Sequence, residues 1–412
     1  MRRALIVLAT MALIPFAFAQ LRTDLSGRLE ARFGAESTGE LTASGAEARL
    51  ALDGEVGSEF YPSADFRAEL RAEADAATDT AYVAVDELWS RAFLGDVEVT
   101  AGNQRRFWGS TDGVNPVDRL NPRDLSVPPE EEKLAVPMVH LRAWLEGDVN
   151  VEAALVPVFT ASTPPGEGWR DAFTPTPPPG VTITEVRPLR EEPPEPSVEN
   201  LQFGARAQWR PSGFDVALSW LHVFRDTPTR SVEIEPTGVP GEVIAQPVAR
   251  YDRIDVVGLD GSVALGDVVL RGEAAYLFTR DPDGRDPAVG NPSFQVVAAA
   301  ETPVPDGPRL IVQAILDGER ENASPSGELG GIELSWRAML IASYALNART
   351  DMEAAWVHDF DGSGMVRPSV SYTVADGVTG ALEGMVAYGG DDTRFGGWRE
   401  RSAATASLRV DF

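Results

Sequence analysis

The stretch RRFWGSTDGVNPVDRLNPRDL, from Arg105 to Leu125, concentrates side chains that could do chemistry. Asp112, Asn115, Asp118, Asn121 and Asp124 fall three residues apart, around two Asn-Pro steps and beside Arg105, Arg106, Arg119 and Arg123. Such a series offers oxygen ligands to a cation, carboxylates for acid–base work, or acceptors for tight turns. It lacks the D-x-D-x-D-G order and closing bidentate Glu of a calcium loop, so no metal ligand is assigned. Asn and Asp next to Pro or Gly build turns in which the side chain caps its own backbone. Arg119 and Arg123 are placed to pair Asp118 and Asp124, or to grip other carboxylates bidentately. Nucleophilic catalysis needs a base and an orienting group as well as a nucleophile. His140, His222 and His358 stand on three separate segments, and no G-x-S-x-G occurs. The chain therefore reads as a non-enzyme without a cofactor, with a barrel hydrolase as the remote alternative.

Strands must position these residues. From Leu25 onward the apolar period is two: Leu25, Gly27, Leu29, Ala31 and Phe33 alternate with Ser26, Arg28, Glu30 and Arg32. About eighteen segments (16–18) follow the same scheme, the fifth over 96–108. Tight connections such as Gly95-Asp96, Gly147-Asp148 and Gly266-Asp267 alternate with long polar loops, chiefly 109–136, 162–198 and 226–249. Short turns at one end and long loops at the other mark an up-and-down membrane barrel. The loop 162–198, rich in Pro and Glu, is expected to lack regular structure.

FDVALSWLHVF separates a lipid-facing barrel from a soluble sandwich. Phe214 and Phe224 end one face that carries Val216, Leu218, Trp220 and His222 between them. Ten residues at about 3.3 Å each, tilted about 40°, span roughly 25 Å, the height of an outer-membrane barrel's apolar band. The last strand repeats the pattern through Ala404, Ala406, Leu408 and Val410 and ends on Phe412, like the signal by which bacterial barrels meet their assembly machinery. The expected fold is all-β: one transmembrane antiparallel up-and-down barrel over residues 20–412, set in outer-membrane lipid. A barrel of about this strand number leaves a water-filled lumen. An apolar strand face looks alike against lipid and against a neighbour, so monomer and homotrimer both remain open.

Composition supports export and narrows the partners. Arg2, Arg3, the apolar run Ala4–Ile14 and Ala17-Phe18-Ala19 read as a signal peptide over 1–19, directing the chain to the outer membrane. With no cysteine, disulfide scaffolds and thiol chemistry drop out. The formal charge of −27 becomes −29 once Arg2 and Arg3 are removed, and so acidic a chain is no nucleic-acid partner.

The face opposite the apolar one would line the lumen. It carries Arg28, Arg32, Arg67, Arg71, Arg271, Glu273 and Arg337 among many carboxylates, with opposite charges expected to alternate along and across strands. Net acidity predicts a preference for cations or neutral solutes. By count, 109–136 is the third long-side loop, a position from which loops fold into large porin lumens. Gln104, Arg106 and Trp108 enter it from the inner face, and Asp112, Asp118, Arg119, Arg123 and Asp124 would form the constriction.

AGNQRRFWGSTDGVNPVDRLNPRDL resembles the "G-x-Q … WG … NP-x-D … NPRD" signature of a broad, largely uncharacterised group of porin-like bacterial outer-membrane proteins. VEAALVPVFTAS and DRIDVVGLDGSVALGDVVLRGEAAYLF resemble further strands of that group. The resemblance covers residues 80 to 280 and the C-terminal strand, and implies a single-chain barrel and transport without naming a solute. The function expected is a porin-like channel for passive diffusion of small hydrophilic solutes. The alternative is a structural barrel that tethers the outer membrane to a surface layer or the cell wall.

Overall fold

The computed structural model describes residues 20–36, 41–57, 62–76, 79–125, 132–164, 180–305, 307–324 and 329–412. The expected signal peptide, 1–19, lies outside them. The wall strands are β1 (Gln20–Glu36), β2 (Leu41–Gly57), β3 (Pro62–Asp75), β4 (Thr80–Leu94), β5 (Val97–Gln104), β6 (Val136–Leu145), β7 (Val149–Val156), β8 (Gln202–Trp209) and β9 (Phe214–Phe224). They continue with β10 (Arg253–Leu265), β11 (Val268–Phe278), β12 (Ser293–Pro303), β13 (Arg309–Arg320), β14 (Ile332–Asn347), β15 (Thr350–Asp359), β16 (Ser363–Ala375), β17 (Val378–Tyr388) and β18 (Ala403–Asp411). Each pairs antiparallel with its neighbours in sequence, and β18 closes on β1 from Arg28↔Asp411 to Glu36↔Ala403. The result is a closed barrel of 18 strands.

Closure satisfies every sheet edge, which an open sheet in hydrocarbon would leave unpaired at several kcal/mol per group. The seam ends on Phe412, whose backbone exchanges hydrogen bonds of 2.8 and 3.0 Å with Gly27. Gly27 has no Cβ, and the Phe412 ring occupies the space one would take. Alternation is strictest in β8, where Gln202, Gly204, Arg206 and Gln208 are buried inward while Phe203, Ala205, Ala207 and Trp209 are exposed outward. The outer face bears Trp209, Phe214, Tyr344, Tyr372 and Phe412 toward the short-turn end. Trp220, Phe278, Trp336, Trp356 and Phe360 stand toward the long-loop end. Aromatic rims of this kind sit at the two interfaces of a bilayer.

Two long loops are not irregular. Thr182–Val186 and Arg190–Glu192 from 162–198, and Thr229–Pro236 and Glu242–Arg250 from around 226–249, form a separate four-stranded sheet. Thr182–Val186 and Arg190–Glu192 both pair parallel with Glu242–Arg250. This corrects the expectation that 162–198 lacks regular structure for its part 180–198, while 165–179 lie outside the described residues. Strands of five and three residues are too short to show a period, and their partner lies in another loop. Arg190 to Glu233 (2.8 Å), Arg250 to Glu192 (2.8 Å) and Arg187 to Glu235 (2.8 Å) lace the exposed sheet. Arg190 and Arg250 hold Glu192 and Glu233 below the usual carboxylate range.

Candidate pore and its internal loop

The lumen is built around the stretch at Arg105–Leu125. The fifth strand, expected to run to residue 108, ends at Gln104. There Asn121 takes over: its Nδ2 donates to Gln104 O (3.0 Å) and Leu134 O (2.9 Å), and its Oδ1 accepts from Arg106 N (2.9 Å). One amide thus ties the outgoing limb of the loop to the returning one. Asp118 Oδ1 accepts from Trp108 N (3.2 Å) and pairs with Lys133 Nζ (2.5 Å), and Lys133 also donates to Arg106 O. Asn121 and Asp118 therefore bond distant backbone rather than capping their own, which corrects the turn-building reading for these two residues. Of the pairings expected for the arginines, Arg123 with Asp118 is present, at 3.6 Å. Arg119 donates to Pro116 O. The single lysine is 3 % exposed, and burial pushes its pKa down to about 8 although Asp118 opposes the shift.

Beyond this knot the loop crosses the barrel interior. Trp108, Val117 and Leu120 pack with inward side chains of β6, β7, β9, β10 and β11, among them Met138, Val156, Leu221, Val256 and Leu277, as one apolar cluster. At about 1.5–3 kcal/mol for each large side chain buried, this is what holds the loop inside. Two wall glycines make room. A Cβ on Gly204 would lie 2.9 Å from the Trp108 ring, and one on Gly258 would lie 2.5 Å from Val117 Cγ1. Trp108 Nε1 donates to Glu152 Oε2 (3.1 Å), which also meets His140 Nε2 at 2.9 Å.

The tip is held by backbone capture. Glu273 Oε1 accepts from Ser110 N (2.5 Å), Thr111 N (2.6 Å) and Thr111 Oγ1 (2.8 Å). Asp112 pairs with Arg271 at 3.2 Å, and Gln313 donates to Asp112 O. The returning limb reaches the other way. Glu132 meets Arg49 at 3.0 and 3.2 Å and Arg71 at 3.3 Å, and these cations hold its carboxyl below the usual range despite burial.

Glu132 bears on an unexpected feature of the wall. Opposite charges do alternate along strands, as in Arg32–Glu30 (2.8 Å) and Arg67–Glu69 (2.8 Å), and Arg337 pairs with Asp317 of the adjoining strand at 2.7 Å. Across strands the expectation fails in two rows: Arg28, Arg49 and Arg71 are direct neighbours, and so are Glu30, Glu47 and Glu73. Like charges directly opposite are destabilising. Wall carboxylates offset the Arg49–Arg71 row, with Glu47 at 2.5 Å from Arg49 and Asp86 at 3.2 Å from Arg71, and Glu132 adds a further carboxylate from the loop. The seam pairs oppositely, Arg28 with Asp411 at 2.7 Å.

The residues singled out in the sequence thus divide. Gln104 (1 % exposed), Trp108 (2 %), Asp118 (3 %) and Glu273 (3 %) are buried in the joint between loop and wall. Gln104, Trp108 and Asp118, expected at the constriction, and Glu273, expected on the lumen wall, serve there to anchor the loop. Asp112 stands exposed at the tip, and Arg106, Arg119, Arg123 and Asp124 are half-buried. Asn121, Lys133, Glu132, Glu152, His140 and Gln313 were missed as anchors. The solitary lysine and the place of Asn121 in the period-three series were the available signals. Past the loop, Ser369, Ser371, Thr379, Thr405 and Ser407 on β16–β18 stay half-exposed on the inner face. Among the described residues, no group of three or more His, Cys, Asp or Glu side chains is arranged to hold a metal ion.

A single-chain barrel of 18 strands with a loop anchored in its lumen has the architecture of bacterial outer-membrane porins and channels. The chain belongs to the family described as "Protein of unknown function (DUF1302)", which it matches over residues 46–355. No curated protein matches the sequence. Among solved structures it is similar to OccK5 (OpdH) of Pseudomonas aeruginosa, with TM-score 0.51 and 9% identity over 95% of this chain and 97% of that one. It is also similar to the outer-membrane protein OmpT of Vibrio cholerae (TM-score 0.48, 11% identity, 97% and 99% covered). A third is the anion-selective porin from Comamonas acidovorans (TM-score 0.46, 11% identity, 95% and 100% covered).

Proposed function

We propose that the protein is an outer-membrane channel through which small hydrophilic solutes diffuse passively, past an internal loop that narrows the lumen. The observation that carries this reading is that, among the described residues, the loop's anchors stop short of β16–β18. The loop is packed against β6–β11, pinned at its tip to β11 and β13, and gripped by β2 and β3 on its return. Across from it, β16–β18 present small hydroxyl side chains that stay half-exposed. These hydroxyls, interspersed with Arg367, Glu383 and Arg409 on the same face, offer hydrogen bonds to water and to polar solutes. Residues 1–19 serve as the export signal and Phe412 as the handle for barrel assembly. No chemical step is assigned: His140 is fully buried and committed to Glu152. Refolded protein in a planar bilayer should give discrete conductance steps. A correctly folded barrel that gives none has a plugged lumen, and the tethering role would replace transport.

A further inference from the structure

Among the described residues, Arg106 at the loop root forms no ion pair with a carboxylate. Its backbone is fixed by Asn121 and Lys133, but its side chain turns back toward the wall. Among the described residues the guanidinium hydrogen-bonds only Gln104 Oε1, through Nε at 2.8 Å. The charges it senses are those of β4 to β7: Glu98 and Glu152 in its favour, Arg142 and Arg91 against it. Burial and those two neighbouring cations hold it below the usual arginine range. Both nearby carboxylates are already engaged. Glu98 meets Arg91 at 3.5 Å, while Glu152 serves Arg142 at 3.3 Å as well as His140 and Trp108.

A half-buried cation without a counter-ion is costly, and two further guanidiniums beside it raise the cost. An anion arriving from the lumen would lower it. Planar guanidiniums with free N–H forks match carboxylate geometry bidentately. The surroundings add apolar, planar surface. The Arg91 guanidinium carbon lies 5.4 Å from the Trp89 ring and 5.3 Å from Phe93, and that of Arg142 lies 5.9 Å from Trp144. All three rings project to the inner face, and Trp144 is exposed.

We infer that Arg106 and Arg142, backed by Arg91 and its aromatic neighbours, form a lumenal binding site for small organic carboxylates with an apolar, planar body. This rests on the channel reading and names a solute class for it. A net-acidic pore slows free anions, and a local site of fixed cations concentrates those anions that it fits.

The test uses full-length refolded protein in detergent, with phenylacetate, acetate and inorganic phosphate as probes. Titration with phenylacetate should quench tryptophan fluorescence saturably, with acetate and phosphate at least tenfold weaker. Arg106→Gln should weaken phenylacetate binding about tenfold or more. Arg106→Lys, which keeps the charge but loses the fork, should fall between the two. Arg190→Gln, on the external sheet, should bind as wild type. Heat-modifiable migration on gels shows that each variant is a folded barrel. The inference is overturned by absent saturation, by equal or tighter binding of acetate or phosphate, or by an unchanged affinity in the folded Arg106→Gln protein. A wild type that conducts without binding phenylacetate sinks this site alone. One that binds without conducting sinks the channel reading alone.

Discussion

Lys133 shows how a residue can be prominent in the sequence and still be misread. As the only lysine in an acidic chain it looks like a surface accident, yet it is sealed between Asp118 and Arg106 O inside the barrel. Its titration yields a signed prediction. The unfolded chain holds this proton to about 10.5 and the folded one only to about 8. Between those values the unfolded state binds more protons, so this group makes stability rise with pH across the window and adds no slope below it. Measured by the temperature at which the compact gel band is lost, wild type should gain on Lys133→Met as pH goes from 8 to 10.5. A difference that stays flat or shrinks over that range contradicts the burial argument. The period-three Asp and Asn series was legible at this scale, but its roles were not. Asn121 bonds Gln104, Arg106 and Leu134, and such partners are fixed by where the loop folds rather than by local spacing.

At the scale of elements, wall strands were legible because one face meets an apolar medium, and period two survives along the whole length. What misled was the other face. In FDVALSWLHVF the outward residues set the period, but inward Ala217, Leu221 and Val223 are apolar as well, because they pack under the loop. Under the loop the inner face is therefore apolar as well as charged, and the extra apolar residues were the sign that something is docked there. Gly258 is the point at which that docking is most exposed to test. A Val at this position would drive branched carbons into Val117, where even a Cβ lies at 2.5 Å, while the wall strand itself tolerates Val well. Overpacking of this kind costs about 1–3 kcal/mol, enough to loosen the loop where Val117 docks. Gly258→Val should assemble normally and show larger or noisier single-channel steps than wild type. Unchanged steps would mean that the loop does not limit flow.

For the whole molecule the governing quantity is charge. The chain has 63 acidic and 36 basic residues, and the arginines of the inner wall are mostly committed to carboxylates, as Arg28 is to Asp411 and Arg337 to Asp317. Such pairs leave little free positive field, so the acidic surplus sets the average potential that a small ion meets. Field of one sign in a low-dielectric channel raises the local concentration of counter-ions. Potassium should therefore pass in preference to chloride, roughly several-fold, at about 0.1 M salt. The same argument fixes how the preference must fade. The screening length falls from about 10 Å at 0.1 M to about 3 Å at 1 M, so charges that act across the lumen at low salt act only at contact distance at high salt. Reversal potentials in potassium chloride gradients should thus report cation selectivity that declines steadily as both compartments are made more concentrated. Anion selectivity at the low end would show that the uncompensated arginines, Arg106 foremost, dominate the field. Selectivity independent of salt would place its origin in a narrow contact site rather than in the charge of the barrel as a whole.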